Sequence, residues 1–212
     1  SRLFIYYNER AMEGNVDQDA GAYIRDGIKS IAQIGVCHET MWPYDVSRFT
    51  DCPKERCYTD ATLNKCKSYA RVPQTLEDMK GVINEGFPFV FGFAVFESFM
   101  TAEVAATGVV PMPSSFEAVL GGHAVQACGY DDEKQWFIVR NSWGEEWGDK
   151  GYFYLPYEYM ANPQLVGDMW AILFVDSVDF PCRPQPGGNQ EKSAAVADCI
   201  STVAPVAASG GA

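Results

Sequence analysis

An α+β fold is predicted by three features of the sequence. Two segments with helical periodicity come first, a series of short aromatic-rich or alternating segments follows, and turn residues punctuate both. Residues 3–10, "LFIYYNER", run from apolar to polar and read as the end of an element. In "DQDAGAYIRDGIKSIAQIGV", Ala20, Ile24, Ile28 and Ile31 recur at helical spacing. Asp17 or Asp19 suits the start of this helix and Gly35 its stop. "WPYD" then reads as a turn. "TLEDMKGVINEG" forms a second helix, with Thr75 and Asp78 as a capping pair and Gly86 at its end. From Phe87 the period changes. "FPFVFGFAVF", "GGHAVQACGY", "QWFIVRN", "GYFYLP" and "WAILFV" read as strands of a mostly antiparallel sheet or barrel. From Pro181 the chain lacks aromatic residues and is rich in Ala, Gly and Pro, which predicts a flexible tail. No internal repeat is present.

The 212 residues, 47% hydrophobic and 21% charged, suit one domain or two small ones with a real core. No apolar run approaches the roughly 20 residues of a membrane span. A net charge of −12 without Lys/Arg clusters argues against nucleic-acid binding. The opening "SRLFIYYNER" has neither an initiator Met nor a signal-like start, so a processed product or fragment is expected. Seven cysteines leave at least one without an intrachain partner. Cys52, Cys57 and Cys66 cluster in a polar stretch, where one loop disulfide plus a spare thiol is expected. Free thiols and a zinc site are the alternatives, the latter disfavoured because no C-x-x-C pair is present and His38 is the one nearby histidine. Disulfides point to a secreted or lysosome-like compartment.

His123 is one of two histidines. A lone histidine in an apolar strand is ordinarily a satisfied core residue, and an Asn at a strand end is ordinarily turn chemistry. Here both stand on adjacent predicted strands, joined by the short "GYDDEKQ" turn, which would bring His123 and Asn141 side by side. "NSWGEEWGDKGYF" follows. An imidazole that activates a nucleophile needs one tautomer and one orientation, and a third group supplies them. A neutral amide suffices beside a Cys–His pair, because thiolate and imidazolium balance each other. Trp143 over that hydrogen bond would exclude water, and the glycines would let the turn pass close to the indoles.

"GGHAVQACGY", "FIVRNSWGEEWGDKGYFYLP" and "GVCHETMWPYD" together resemble the papain family of cysteine peptidases, over roughly residues 1–175. The resemblance implies a papain-like two-lobed fold: a partial helical lobe over 1–70, an antiparallel β-barrel lobe over 71–180 and the tail over 181–212. It implies that His123 is the acid/base, Asn141 its orienter and Trp143 the shield. Trp147 would help form the primed side of the cleft. By position, Gly92, Gly122 and Ala124 would line the pocket for the residue two before the cut, and Gly21 would pair with substrate backbone. The family's Cys before the long helix is absent beside Gly21, so one common family disulfide is not expected. The loop after "WPYD" lacks the paired histidines of an occluding loop, which favours endopeptidase over dipeptidase. The implied partners are a peptide or protein substrate and an inhibitory pro-segment; no cofactor, metal, nucleic acid or membrane is expected.

The nucleophile is a separate question. Cys128 lies five residues beyond His123 on the same strand, on the opposite face. Cys37 and His38 are neighbours that face apart, and Cys52, Cys57 and Cys66 lack the turn-then-helix pattern that lowers a thiol pKa. The family signature, C-G-S/A-C-W/Y, stands roughly 130 residues before the His. That distance falls before Ser1, so the nucleophile and the oxyanion-hole Gln are expected upstream of this chain. Two rivals remain at this point: a non-catalytic papain-fold protein that binds peptides or a partner, and a Cys–His acyl transferase.

Overall fold

The apolar run near the start of the chain is a helix. In the computed structural model, which describes residues 1–175, α1 (Arg2–Glu13) buries Leu3, Phe4, Ile5 and Tyr6 and ends at Gly14 in the left-handed conformation. Leu3, Phe4 and Tyr6 pack with Cys37, Trp42, Cys57 and Ala61. The predicted tail, with Cys182 and Cys199, lies outside the described residues. The contacts divide the described residues after Ala70: residues 1–70 with residues 172–175 form one unit, Arg71–Ala171 the other.

Two charged residues of α1 are buried in the first unit. Arg10 is 0% exposed. Its guanidinium donates to the carbonyls of Tyr6 (3.1 Å), Val16 (2.6 Å), Gln18 (3.3 Å) and Phe49, and it lies over the rings of Tyr6 and Phe49. One planar cation thereby organises three loop carbonyls that would otherwise need water. Glu9 is also buried. It sits where α2 (Ile24–Gln33) passes, and a β-carbon at Gly27 would lie 2.5 Å from its Oε2. Glycine is what admits the carboxyl at this crossing.

The second helix is shorter than its periodicity predicts. Asp19 does not cap it; its carboxylate accepts from the Tyr6 hydroxyl at 2.5 Å, and Ala20 is exposed. Ile24 and Ile28 are buried as expected. The cysteine-rich stretch is also more ordered than a loop. It contains α3 (Glu55–Ala61) and β1 (Cys66–Arg71). The expected loop disulfide is not formed: Cys52, Cys57 and Cys66 are free thiols. The physical reason is α3, which turns Cys57 into the core while Cys52 stays exposed.

The second unit opens with α4 (Leu76–Asn84), where the Thr75 hydroxyl accepts from the Asp78 amide at 3.1 Å. Its strands are β2 (Phe89–Phe96), β3 (Val119–Asp131), β4 (Trp136–Arg140), β5 (Tyr152–Pro156) and β6 (Val166–Val175), with short helices α5 (Ala102–Thr107) and α6 (Tyr157–Ala161) between them. These strands run in the linear order β6-β2-β3-β4-β5, and β2, β3, β4 and β5 pair antiparallel in succession. The fold is α+β. Phe89, Phe91, Phe93 and Val95 of β2 are buried on one face, with Val125 and Ala127 of β3, Phe137 and Val139 of β4, and Phe153 and Leu155 of β5. The period-2 pattern seen in sequence is therefore the core face of this sheet.

Candidate active site

Register places the site. β2 and β3 align with Phe93 opposite His123 and Gly92 opposite Ala124. β3 and β4 align with Gln126 opposite Arg140, so Asn141, one residue beyond β4, falls diagonally across from His123. His123 Nε2 and Asn141 Oδ1 are 2.9 Å apart, in a buried contact. The same Oδ1 accepts from the Ser142 amide at 2.8 Å. An oxygen that accepts a backbone N–H fixes which way the amide points, and the imidazole must then carry its proton on Nε2. Nδ1 is left as the basic nitrogen. The Asn141 backbone N–H donates to the Gly151 carbonyl at 2.9 Å, which holds the residue as the chain leaves the sheet.

Aromatic rings enclose this pair. The Trp143 ring stacks on the imidazole at 5.1 Å and 24°, and Phe93 lies 5.8 Å from it. Behind them, Phe99 touches Trp143, Trp147, Phe153 and Phe93 at 5.2–5.7 Å. Trp147 stands edge-on to Trp143 at 5.0 Å. This wall removes water from around His123, and burial accordingly pulls its pKa below the ordinary value, against a smaller opposing pull from Asn141. The turn that carries both indoles depends on Gly148. Its φ is +65°, and a β-carbon there would lie 2.3 Å from the Tyr152 carbonyl oxygen. Its amide donates to Ala105 O at 2.7 Å.

Of the other residues singled out in sequence, Gly122 and Ala124 lie on the sheet face opposite His123 by strand alternation, with Gly92 across from Ala124. A β-carbon at Gly122 would meet nothing closer than Phe93 O at 4.0 Å. Gly21 belongs to the first unit, has φ +77°, and donates its amide to the Tyr6 hydroxyl at 3.3 Å.

The thiols are elsewhere engaged. Cys128 sits at the bulge between β3 and β4, contacts Ile138 O, and is pushed up to about 11 by burial. Cys37 is pushed up to about 12 by burial, and burial also raises Cys66. Among the described residues, the one side-chain hydrogen bond of His123 is to Asn141, and no group of His, Cys, Asp and Glu could hold a metal ion.

Two contributors were not read from the sequence. Phe99, in the short turn after β2, is the hub of the aromatic wall; the run "FESFM" directly after an aromatic strand was its faint signal. Glu117 braces the approach to β3, its carboxylate accepting from the Ser98 and Ser114 amides at 2.9 and 2.8 Å. These bonds lower its pKa to about 2.

The candidate site is thus a buried His–Asn pair under a tryptophan, on an antiparallel sheet. A sequence model of the papain family of cysteine proteases matches residues 12–165, and the chain belongs to that family. An uncharacterized peptidase C1-like protein of Acanthamoeba polyphaga mimivirus is 48% identical over 180 residues, covering 81% of this chain and 58% of that protein. The structure of xylellain, a cysteine protease from Xylella fastidiosa, superposes with a TM-score of 0.76 at 43% identity, over 84% of this chain and 70% of that one. A procathepsin B from Trypanosoma congolense shares the fold at 18% identity, with a TM-score of 0.56 over 81% of this chain and 58% of the other. The chain thus spans a little under three-fifths of the mimivirus protein's length.

Proposed function

We propose that this chain is the major part of a papain-like cysteine endopeptidase. The single observation that carries this is the 2.9 Å His123–Asn141 contact with Trp143 stacked over it. Oriented in this way, His123 offers Nδ1 to a thiol and keeps Nε2–H on the amide. The thiol is supplied from a segment N-terminal to Ser1, because the described cysteines are buried and raised in pKa or carry no bond to His123. The thiolate attacks the peptide carbonyl, while hydrogen-bond donors, including the upstream Gln, hold the oxyanion. His123 protonates the leaving amine and then takes a proton from the water that releases the acyl group. The imidazolium formed along this path is disfavoured by burial, and the thiolate beside it offsets that cost.

Gly92, Gly122 and Ala124 form the floor for the residue two before the cut, where their size leaves room for a large side chain. Trp147 borders the primed side. Peptides or proteins are the substrate, and a pro-segment is the inhibitor that precedes activation.

The test is hydrolysis of a fluorogenic peptide by two proteins of verified intact mass. Ser1–Ala212 alone is expected to be inactive. The same chain preceded by its natural upstream sequence is expected to cleave, and to lose activity with His123→Ala. Cleavage by Ser1–Ala212, abolished by replacing one of its own cysteines, would overturn the upstream thiol. Inactivity of the extended protein, together with tight binding of a peptide, would favour a non-catalytic binding protein.

A further inference from the structure

We propose that Cys37 and Cys57 are a modification site: they close a disulfide within the core of the first unit when the protein meets a low-molecular-weight disulfide. Both are free thiols in the structure. Both are almost wholly buried, at 1% and 0% exposure, in the same cluster with Leu3, Phe4, Tyr6, Trp42 and Ala61. They share that one core cluster, where Cys57 adds to the upward push that burial exerts on the Cys37 thiol, and the Cys57 thiol also donates to Met41 O at 3.8 Å. The other described thiols have other company: Cys52 is exposed and contacts Pro53 O, Cys66 contacts Ser68 O, and Cys128 contacts Ile138 O. Sequence proximity suggested a bridge inside the 52–66 stretch; α3 instead presents Cys57 to Cys37.

The chemistry balances with one disulfide reagent. The thiolate of one cysteine attacks a sulfur of RSSR, the reagent's S–S bond breaks, and RS⁻ leaves. The second cysteine loses its proton and attacks the sulfur of the resulting mixed disulfide, expelling the second RS⁻. Two cysteine thiols are oxidised by two electrons, RSSR is reduced to two RSH, and the two thiol protons end on the two leaving groups. Burial holds the Cys37 thiol up to about 12, so closure belongs to folding, before the core excludes water and reagent. Once formed, the bond is shielded by the same packing.

The bridge encloses about 20 residues, a loop length for which the constraint on the unfolded chain is substantial. That loop contains Trp42, whose indole is in the core, and Phe49, whose carbonyl receives Arg10. The first unit would accordingly be sturdier in an oxidising compartment.

The experiment refolds the full chain with an oxidised or a reduced small thiol couple, then denatures, alkylates and digests it for peptide mapping. The expected result is a Cys37–Cys57 cross-linked peptide after oxidative refolding only. The oxidised protein should melt roughly 5–10 °C above the reduced one, a gap lost in Cys37→Ala and in Cys57→Ala. Mapping the unaltered protein needs no variant, so a variant that does not fold leaves the test intact. Full alkylation of both cysteines after oxidative refolding, or a bridge from either to any other cysteine, would overturn the proposal.

Discussion

The two units solve the problem of buried polarity in different ways. In the first, Arg10 is enclosed and donates to four backbone carbonyls, while Glu9 is enclosed beside Glu13 and Asp26 with Arg10 as its nearby cation. In the second, the buried polar pair is neutral: His123 and Asn141, held by one hydrogen bond and walled by aromatic rings. A buried charge demands many partners and makes its surroundings rigid. A neutral imidazole demands few, so one ring nitrogen remains for chemistry. The first arrangement is expected to serve stability and the second, on the proposed function, chemistry, and substitutions should separate them.

The largest effect is expected at His123. In the extended protein, His123→Gln should lower kcat/KM for a fluorogenic peptide by about 10⁴-fold or more, with little change in melting temperature. A loss below tenfold would remove His123 from the chemistry. Next comes Arg10→Met, which leaves the carbonyls of Val16, Gln18 and Phe49 without their donor. Urea denaturation should show a loss of about 3–5 kcal/mol; an unchanged midpoint would mean that water replaces the guanidinium readily.

Phe99→Ala tests whether the aromatic wall acts on the site or only on the core. A cost of about 3 kcal/mol is expected from the cavity, with a changed tryptophan emission because Phe99 touches both Trp143 and Trp147. Retention of the native emission spectrum in a folded variant would count against that coupling.

The smallest effect is pH-dependent. Burial, and then the Glu13 charge, lift the Glu9 carboxyl from its ordinary 4.5 to about 8, against Arg10, with Asp26 adding a further upward push. A pKa raised in the folded state gives stability that is complete below the ordinary carboxylate range and is lost as pH rises through about 8. Glu9→Gln cannot ionise, so it should flatten the fall in stability between mildly acidic and mildly alkaline pH, a gain on the order of 2 kcal/mol at the alkaline end. Parallel stability–pH curves for the two proteins, followed by denaturant titration, would show that Glu9 is not the group responsible.

Much of the site was legible in the sequence because its parts are near neighbours along the chain. Strand alternation fixes the face of His123, a short hairpin brings Asn141 alongside, and the Trp-Gly segment begins two residues later. The α4 helix was equally legible, since its cap lies three residues from the group it satisfies. The failures share the opposite property. The start of α2 shifted because Asp19 is held by Tyr6, thirteen residues away. The cysteine stretch was misread because α3 is committed by burial against α1, which no pattern within residues 52–66 reveals.

By itself, then, the sequence determined the α+β class, the strand periodicity and the His–Asn–Trp constellation, because each follows from spacing of a few residues within or between adjacent strands. The tertiary structure alone decided that Phe99 backs the indoles, that Arg10 gathers three loop carbonyls, and that Cys57 enters the same core cluster as Cys37. Those contacts join segments far apart in the chain, and burial against a common core chooses among partners that local propensity leaves equivalent.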